Sequence, residues 1–195
     1  KHNISVDTFP IDLSLKTSAE QISEFCGNID ILINNAGAIP PGDLLEIDEE
    51  TWRDAWNLKV FGYINLSRLI YKKMKEAEAG VILNIIGAAA VKPMYNYIAG
   101  TTGNAGLTAF TKALSNGSTY HGIRVLGISP GLTTSDRLVT MMRSQAEKKL
   151  NDAERWPELF KDLPFKRAAK AEEVADLATF LVSPRSSYTS GTIVT

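Results

Sequence analysis

Asp30-Ile31-Leu32-Ile33-Asn34-Asn35-Ala36-Gly37 is an apolar run closed by a small polar loop, the pattern of a strand buried on both faces that ends in a tight turn. Its flanks decide what kind of sheet it joins. Upstream, Val6 to Ile11 reads as a short strand ending at Asp12, and Ser18-Ala19-Glu20-Gln21 has capping-box spacing for a helix that stops at Gly27. Downstream, after a Pro- and Gly-containing loop from Ile39 to Asp43, Asp48 can cap a long helix. That helix carries Trp52, Trp56, Val60, Ile64, Leu66 and Ile70 on one broad apolar face up to about Lys75. Gly80 punctuates it, and Val81 to Ile85 is another buried strand. Gly103 through Ser115 is a second amphipathic helix, and Arg124 to Ile128 is a strand closed by Ser129-Pro130-Gly131. Ala171 to Val182 is a helix, and Thr192-Ile193-Val194 begins a last strand.

Strands separated by helices of this length imply parallel pairing with right-handed crossovers, and so an α/β, Rossmann-type doubly wound sheet with helices on both faces. Ligands in such folds bind at the carboxyl ends of the strands, so the loops after Asp12, Asn34, Ile85 and Ile128 are expected to line one crevice. The 195 residues suit a single domain, and neither repeat nor linker argues for a second. A formal charge of -1 gives no bias toward nucleic acid or an anionic membrane, so any partner, a small-molecule substrate included, must be argued from a site. Apolar stretches stay far short of the ~20 residues of a membrane span, and the first ten residues lack a signal-peptide core. Cys26 is the only cysteine, so it has no internal disulfide partner and reads as a small buried hydrophobe; a reducing cytoplasm is the expected compartment. His2 and His121 read neither as catalytic bases nor as metal ligands, and no metal is expected.

Four landmarks follow in order: Asp12-Leu13-Ser14, Asn34-Asn35-Ala36-Gly37, Asn57 inside the first long helix, and Pro130-Gly131 with Ser135 after it. Each alone is a common turn or cap. Together, at these intervals, they resemble the short-chain dehydrogenase/reductase family. The resemblance extends through Leu163-Pro164-Phe165-Lys166-Arg167, Glu172-Glu173-Val174 and Ser187-Tyr188-Thr189-Ser190-Gly191. It leaves unmatched the family's first strand with its Gly-rich phosphate-binding turn, the next helix and strand, and a short tail after the last strand. It implies an NAD or NADP cofactor. Asp12 and Leu13 would contact the adenine, Asn35, Ala36 and Gly37 would lie along the ribose, and Pro130, Gly131, Thr133 and Ser135 would flank the nicotinamide. The alternative is that these residues only form turns, with Asp12 capping a strand end. The residue that would distinguish NAD from NADP belongs to the family's second strand. The resemblance also implies a homodimer or homotetramer paired through the two long helices, and Val60, Phe61, Leu107 and Phe110 are candidates for that interface.

The catalytic positions depart from the family. There, a Tyr hydroxyl exchanges a proton with the substrate oxygen, a Lys four residues later lowers the Tyr pKa, and a Ser orients the substrate. Aligning Asn104-Ala105-Gly106-Leu107 with the family pattern places Asn104 where Lys belongs, Gly100 where Tyr belongs and Gly87 where Ser belongs; only Asn57 matches. A phenol near pKa ~10 is a poor base at neutral pH without a nearby cation, and a neutral Asn supplies none. Tyr97 precedes Gly100 by three residues, and a helix beginning a turn early would bring its hydroxyl toward the vacated place. Equally, it can be an ordinary half-buried aromatic at a helix start.

Three functions follow. The first is an NAD(P)-dependent oxidoreductase acting on an alcohol or carbonyl group with an atypical site, its catalytic candidates being Asn57, Tyr97 and Asn104. The second is a dinucleotide-binding regulator without chemistry, and the third is a structural partner subunit. Asp136 to Lys161 stands where the family has its substrate lid. Its Met141, Met142, Leu150, Trp156 and Phe160 either meet an apolar substrate or pack the lid on the domain.

Overall fold

In the computed structural model, which describes residues 4–195, a parallel sheet runs in the order β1 (Ile31–Asn34), β2 (Gly80–Ile85), β3 (Ile123–Ile128), β4 (Ile193–Val194). His2 lies outside the described residues. Helix α1 (Ser18–Cys26) precedes β1, while α2 (Glu49–Trp56), a π-helical turn (Asn57–Phe61) and α3 (Gly62–Ala77) carry the chain from β1 to β2. Helix α4 (Ile98–Ser118) connects β2 to β3. Between β3 and β4 come α5 (Asp136–Leu150), a 3-10 stretch (Ala153–Phe160) and α6 (Ala171–Val182).

Strand register explains the two-sided core. Leu32 lies opposite Ile82, which lies opposite Val125, and these three pack with Ile123 against Ile70 and Met74 of α3. The alternate residues Leu83, Leu126 and Ile128 pack against Ala178 and Leu181 of α6. Helices therefore cover both faces, as the alternation of elements predicts. The same register sets Asn34 opposite Asn84. Asn34 Nδ2 donates to Asn84 Oδ1 at 2.8 Å and to Ser67 Oγ of α3 at 3.0 Å, and Asn84 Nδ2 donates to Thr111 Oγ1 of α4 at 2.9 Å. All four side chains are buried, so this chain of bonds ties two strands to two helices with each amide engaged.

Several expectations need correction. Val6 to Ile11 has no regular secondary structure and pairs with no strand of the described sheet; Phe9 stacks on Phe25, with ring centroids 4.6 Å apart. β1 is buried on one face only: Ile31 and Ile33 are 42% and 47% exposed, since α6 packs over β2 and β3 and stops short of them. Ser18 does not cap its helix. Thr17 occupies the cap position without a side-chain bond, and the Ser18 hydroxyl donates to the Asp12 carbonyl. Cys26 is half-buried rather than buried. Asp48 does cap α2, accepting from Thr51 N at 2.8 Å, but the long helix is interrupted by the π-helical turn at Asn57. Helix α4 starts at Ile98, a turn earlier than the Gly103 boundary. Val60 and Leu107 belong to the core, with Tyr63 and Ile86, which removes them from any subunit interface; Phe110 is partly buried against them and Phe61 is half exposed.

Candidate active site

Parallel pairing sets the carboxyl ends of β1, β2 and β3 side by side, and the loops there are fastened to one another. Ile86 N donates to Ile128 O at 2.7 Å, and Ala88 N donates to Pro130 O at 2.9 Å. Beside β1, a cleft of about 140 Å³ is lined by Leu13, Ser14, Asn35, Ala36, Asn57 and Phe61, among others. Residues far apart in sequence thus meet where α1, the end of β1 and the π-helical turn converge. Asn57 faces solvent at this cleft, in the company of the residues expected near the adenine and ribose. A π-helical turn places side chains off the regular helical register, a distortion common at functional sites.

Asp12 borders the cleft with its Oδ1 occupied, accepting from Ser14 N at 2.9 Å and Ser14 Oγ at 2.7 Å. Those two donors hold the carboxyl below its ordinary pKa. On the β3 side, Thr133 Oγ1 donates to Gly131 O at 3.2 Å, and Ser135 caps α5 by accepting from Leu138 N at 3.2 Å. Those two hydroxyls therefore have local structural partners, while Gly131 lies open, with nothing within 4 Å of where a Cβ would stand.

The three substituted positions form a second group. Gly87 has φ +123, a backbone conformation that L side chains rarely adopt, and a Cβ there would stand 2.9 Å from Asn104 Nδ2. The loop after β2 is therefore shaped around glycine, and a serine would require the backbone to move. Asn104 is buried, and its Oδ1 has no hydrogen-bond partner among the described residues. At Gly100, a Cβ would fall 2.1 Å from Cε1 and Cζ of Tyr97. The Tyr97 ring thus fills the space a side chain at position 100 would leave from. Its backbone is held from both sides, because Gly42 N donates to Asn96 O at 2.8 Å and Ile98 N donates to Gly42 O at 3.3 Å. Tyr97, Trp52 and Trp56 each pack against the buried cluster of Ile39, Ile47, Ala55 and Ala99, and Trp56 Nε1 donates to Ala99 O at 3.0 Å.

One residue of this region escaped the sequence reading. Lys59, in the π-helical turn, lays its stem against Gly37, where a Cβ would stand 2.9 Å from its Cδ, and its Nζ donates to Ile86 O at 2.5 Å. Burial pushes its pKa down to about 8. The signal was present, since Lys59 follows Trp56 by three residues along the apolar stripe of the helix. Tyr63, farther along, is a buried phenol donating to Ile85 O at 3.0 Å, and burial raises its pKa.

The lid segment resolves one alternative. Leu138 and Met142 of α5 pack with Phe160 and Ala168, joined by Trp156, Leu159 and Leu163, so much of the apolar surface of the segment from Asp136 to Lys161 is spent on its own packing, while Met141 is 41% exposed. No helix among the described residues is long and apolar enough to cross a membrane.

Residues 11–195 match the family model described as Enoyl-(Acyl carrier protein) reductase. The chain is 28% identical over 188 residues to the 7α-hydroxysteroid dehydrogenase of Escherichia coli, covering 94% of this chain and 70% of that one. It is 30% identical over 188 residues to the 3-oxoacyl-(acyl-carrier-protein) reductase FabG of Vibrio harveyi, covering 95% and 70%. Among solved structures, the L-sorbose reductase of Gluconobacter frateurii complexed with NADPH and L-sorbose superposes with a TM-score of 0.85 at 26% identity, covering 94% of this chain and 72% of that one. With a family model spanning residues 11–195 and a relative 30% identical over 95% of it, the chain belongs to the short-chain dehydrogenase/reductase family of oxidoreductases.

Proposed function

We propose that the chain is an NAD- or NADP-dependent oxidoreductase acting on an alcohol or carbonyl group of a small molecule, with Tyr97 exchanging the proton at the substrate oxygen. The observation that carries this reading is the packing of the Tyr97 ring over Gly100, which puts a phenol beside the position where the family carries one. Two dinucleotide-bound neighbours support the cofactor: the L-sorbose reductase with NADPH, and a 7α-hydroxysteroid dehydrogenase complexed with NADH and 7-oxo glycochenodeoxycholic acid, 28% identical with a TM-score of 0.81.

The residues present suit a dinucleotide. Leu13, Asn35 and Ala36 line the cleft; with Asp12 and Leu13 at the adenine and Asn35, Ala36 and Gly37 along the ribose, Pro130, Gly131, Thr133 and Ser135 would flank the nicotinamide. When bound, the nicotinamide supplies or accepts the hydride. The chain's own part is to hold the ring and substrate together and to give or take the proton at the Tyr97 hydroxyl.

Two observations favour a second reading, a dinucleotide-binding regulator without turnover: Gly87 has a backbone conformation that serine would adopt only with strain, and neutral Asn104 stands in the lysine place. Turnover decides between them. General acid/base help is typically worth roughly 10²–10⁴-fold, so Tyr97→Phe should lower the rate of NAD(P)H-dependent carbonyl reduction by about that factor while leaving dinucleotide affinity nearly unchanged. Wild-type turnover in Tyr97→Phe would remove the tyrosine from the mechanism, and dinucleotide binding without turnover on a broad carbonyl panel would favour the regulator.

A further inference from the structure

The turn of chain that carries Tyr97 is tethered from outside α4. Gly42, in the loop after β1, donates to Asn96 O at 2.8 Å and accepts from Ile98 N at 3.3 Å. A further tether comes from Trp56, the last residue of α2, whose Nε1 donates to Ala99 O at 3.0 Å. Ala99 is buried and directly precedes Gly100, on which the Tyr97 ring rests. Tyr97 itself has φ -146 and ψ 42, neither helical nor extended, so the direction of its side chain depends on what holds the residues around it.

Trp56 is well fixed for that part. Its ring packs against two buried clusters, one containing Ile39 and Ala99 and the other Val60 and Leu107. A Cβ at Gly103 would stand 3.2 Å from its Nε1, so glycine at 103 leaves the room that the indole occupies against α4. The next residue, Asn57, lines the cleft and opens the π-helical turn. We propose that Trp56 is a positioning residue: through Ala99 O, its indole N–H fixes the first turn of α4, and with it the Tyr97 phenol, relative to the cleft that Asn57 lines. This rests on the reading of Tyr97 given above.

The test uses the full-length protein, with kcat and KM measured for NAD(P)H-dependent carbonyl reduction and the melting temperature alongside. Trp56→Phe keeps an aromatic ring and removes the N–H. It should lower kcat by about threefold to tenfold, the range for one neutral hydrogen bond, and leave the dinucleotide KM nearly unchanged. Because Trp56 acts through Tyr97, the same substitution should have no further effect on kcat in a Tyr97→Phe background. Gly103→Ala is a second route, and it decides the question if Trp56→Phe does not fold. Its Cβ would press on the indole and on Val60 Cγ2, 3.0 Å away, without removing the donor, so it should lower kcat in the wild type and leave it unchanged in Tyr97→Phe. An equal loss in both backgrounds, or an unchanged kcat with a lower melting temperature, would make Trp56 a packing residue and overturn the proposal alone. Wild-type turnover in Tyr97→Phe, or no turnover by the wild-type protein, would overturn the reading of Tyr97 and this proposal with it.

Discussion

The ring of Tyr97 rests directly on the backbone of Gly100, leaving 2.1 Å between its Cε1 and Cζ and the place of a Cβ at position 100. Glycine is required there for contact and not for helix geometry, since Gly100 lies inside α4 with an ordinary helical backbone.

A pair of glycine substitutions in α4 separates those two effects. Gly106→Ala, with nothing within 4 Å, should stabilise the protein by about 1 kcal/mol through helix propensity alone. Gly100→Ala gains the same propensity but must displace the tyrosine, at an overpacking cost of about 1–3 kcal/mol, so it should be neutral to destabilising. Urea unfolding of both variants checks this. If the proposed role of Tyr97 holds, Gly100→Ala also loses turnover while Gly106→Ala keeps it.

The buried amide chain makes a sharper stability prediction. Asn84→Ala removes one of the two acceptors of Asn34 Nδ2, leaving only Ser67 Oγ, and removes the donor to Thr111 at once, and each buried hydrogen bond left unmade costs about 1–3 kcal/mol. A total loss of roughly 2–5 kcal/mol is expected. Thr111→Val removes one acceptor and should cost less. The double variant should fall short of the sum of the two, which a double-mutant cycle in urea measures directly.

Arg124 holds the end of α6. Its Nη1 donates to Leu181 O at 2.7 Å and Thr189 O at 3.3 Å, and its Nη2 to Val182 O at 3.1 Å and Ser183 O at 3.3 Å. Four carbonyls, most of them at a helix C-terminus, converge on one planar cation that suits both the dipole and the spacing. Arg124→Met should cost about 2–3 kcal/mol in thermal or urea unfolding. Arg124→Lys should recover only part of it, because a single ammonium cannot span the set.

Acid stability should carry the signature of Glu173. Its carboxylate accepts from Arg167 Nη2 at 2.6 Å and from Lys170 N at 2.7 Å, and these bonds push its pKa down to about 2 from an ordinary 4.5. A depressed carboxylate pKa stabilises the fold above the unfolded value, and that contribution is lost as pH falls from about 4.5 toward 2. The pair is solvent-exposed, so the effect is small and weakens with salt. Melting temperature followed across this window should drop less in Glu173→Gln than in the wild type.

The order of strands and helices was legible in the sequence because burial repeats locally: Ile82, Leu83, Val125 and Leu126 announce buried strands, and the stripe from Trp52 to Ile70 announces a packed helix. The loops at the carboxyl ends of the strands were legible for a related reason, since Asn35, Ala36, Gly37, Pro130 and Gly131 close strands whose carboxyl ends must lie together in a parallel sheet. What the sequence could not determine depended on what each element meets. Val6 to Ile11 has the composition of a strand but pairs with no strand of the described sheet, and Ile31 and Ile33 are apolar yet uncovered because α6 does not reach β1. Lys59 reads as an ordinary surface charge until the π-helical turn and the bareness of Gly37 let its stem pass inward to Ile86. Tyr97 stood three residues from an empty position in the sequence. Only the tertiary structure laid its ring over Gly100, because that contact depends on the backbone bonds from Gly42 and on packing against Ile39, Ile47, Ala55 and Ala99, neither of which a local pattern of residues encodes.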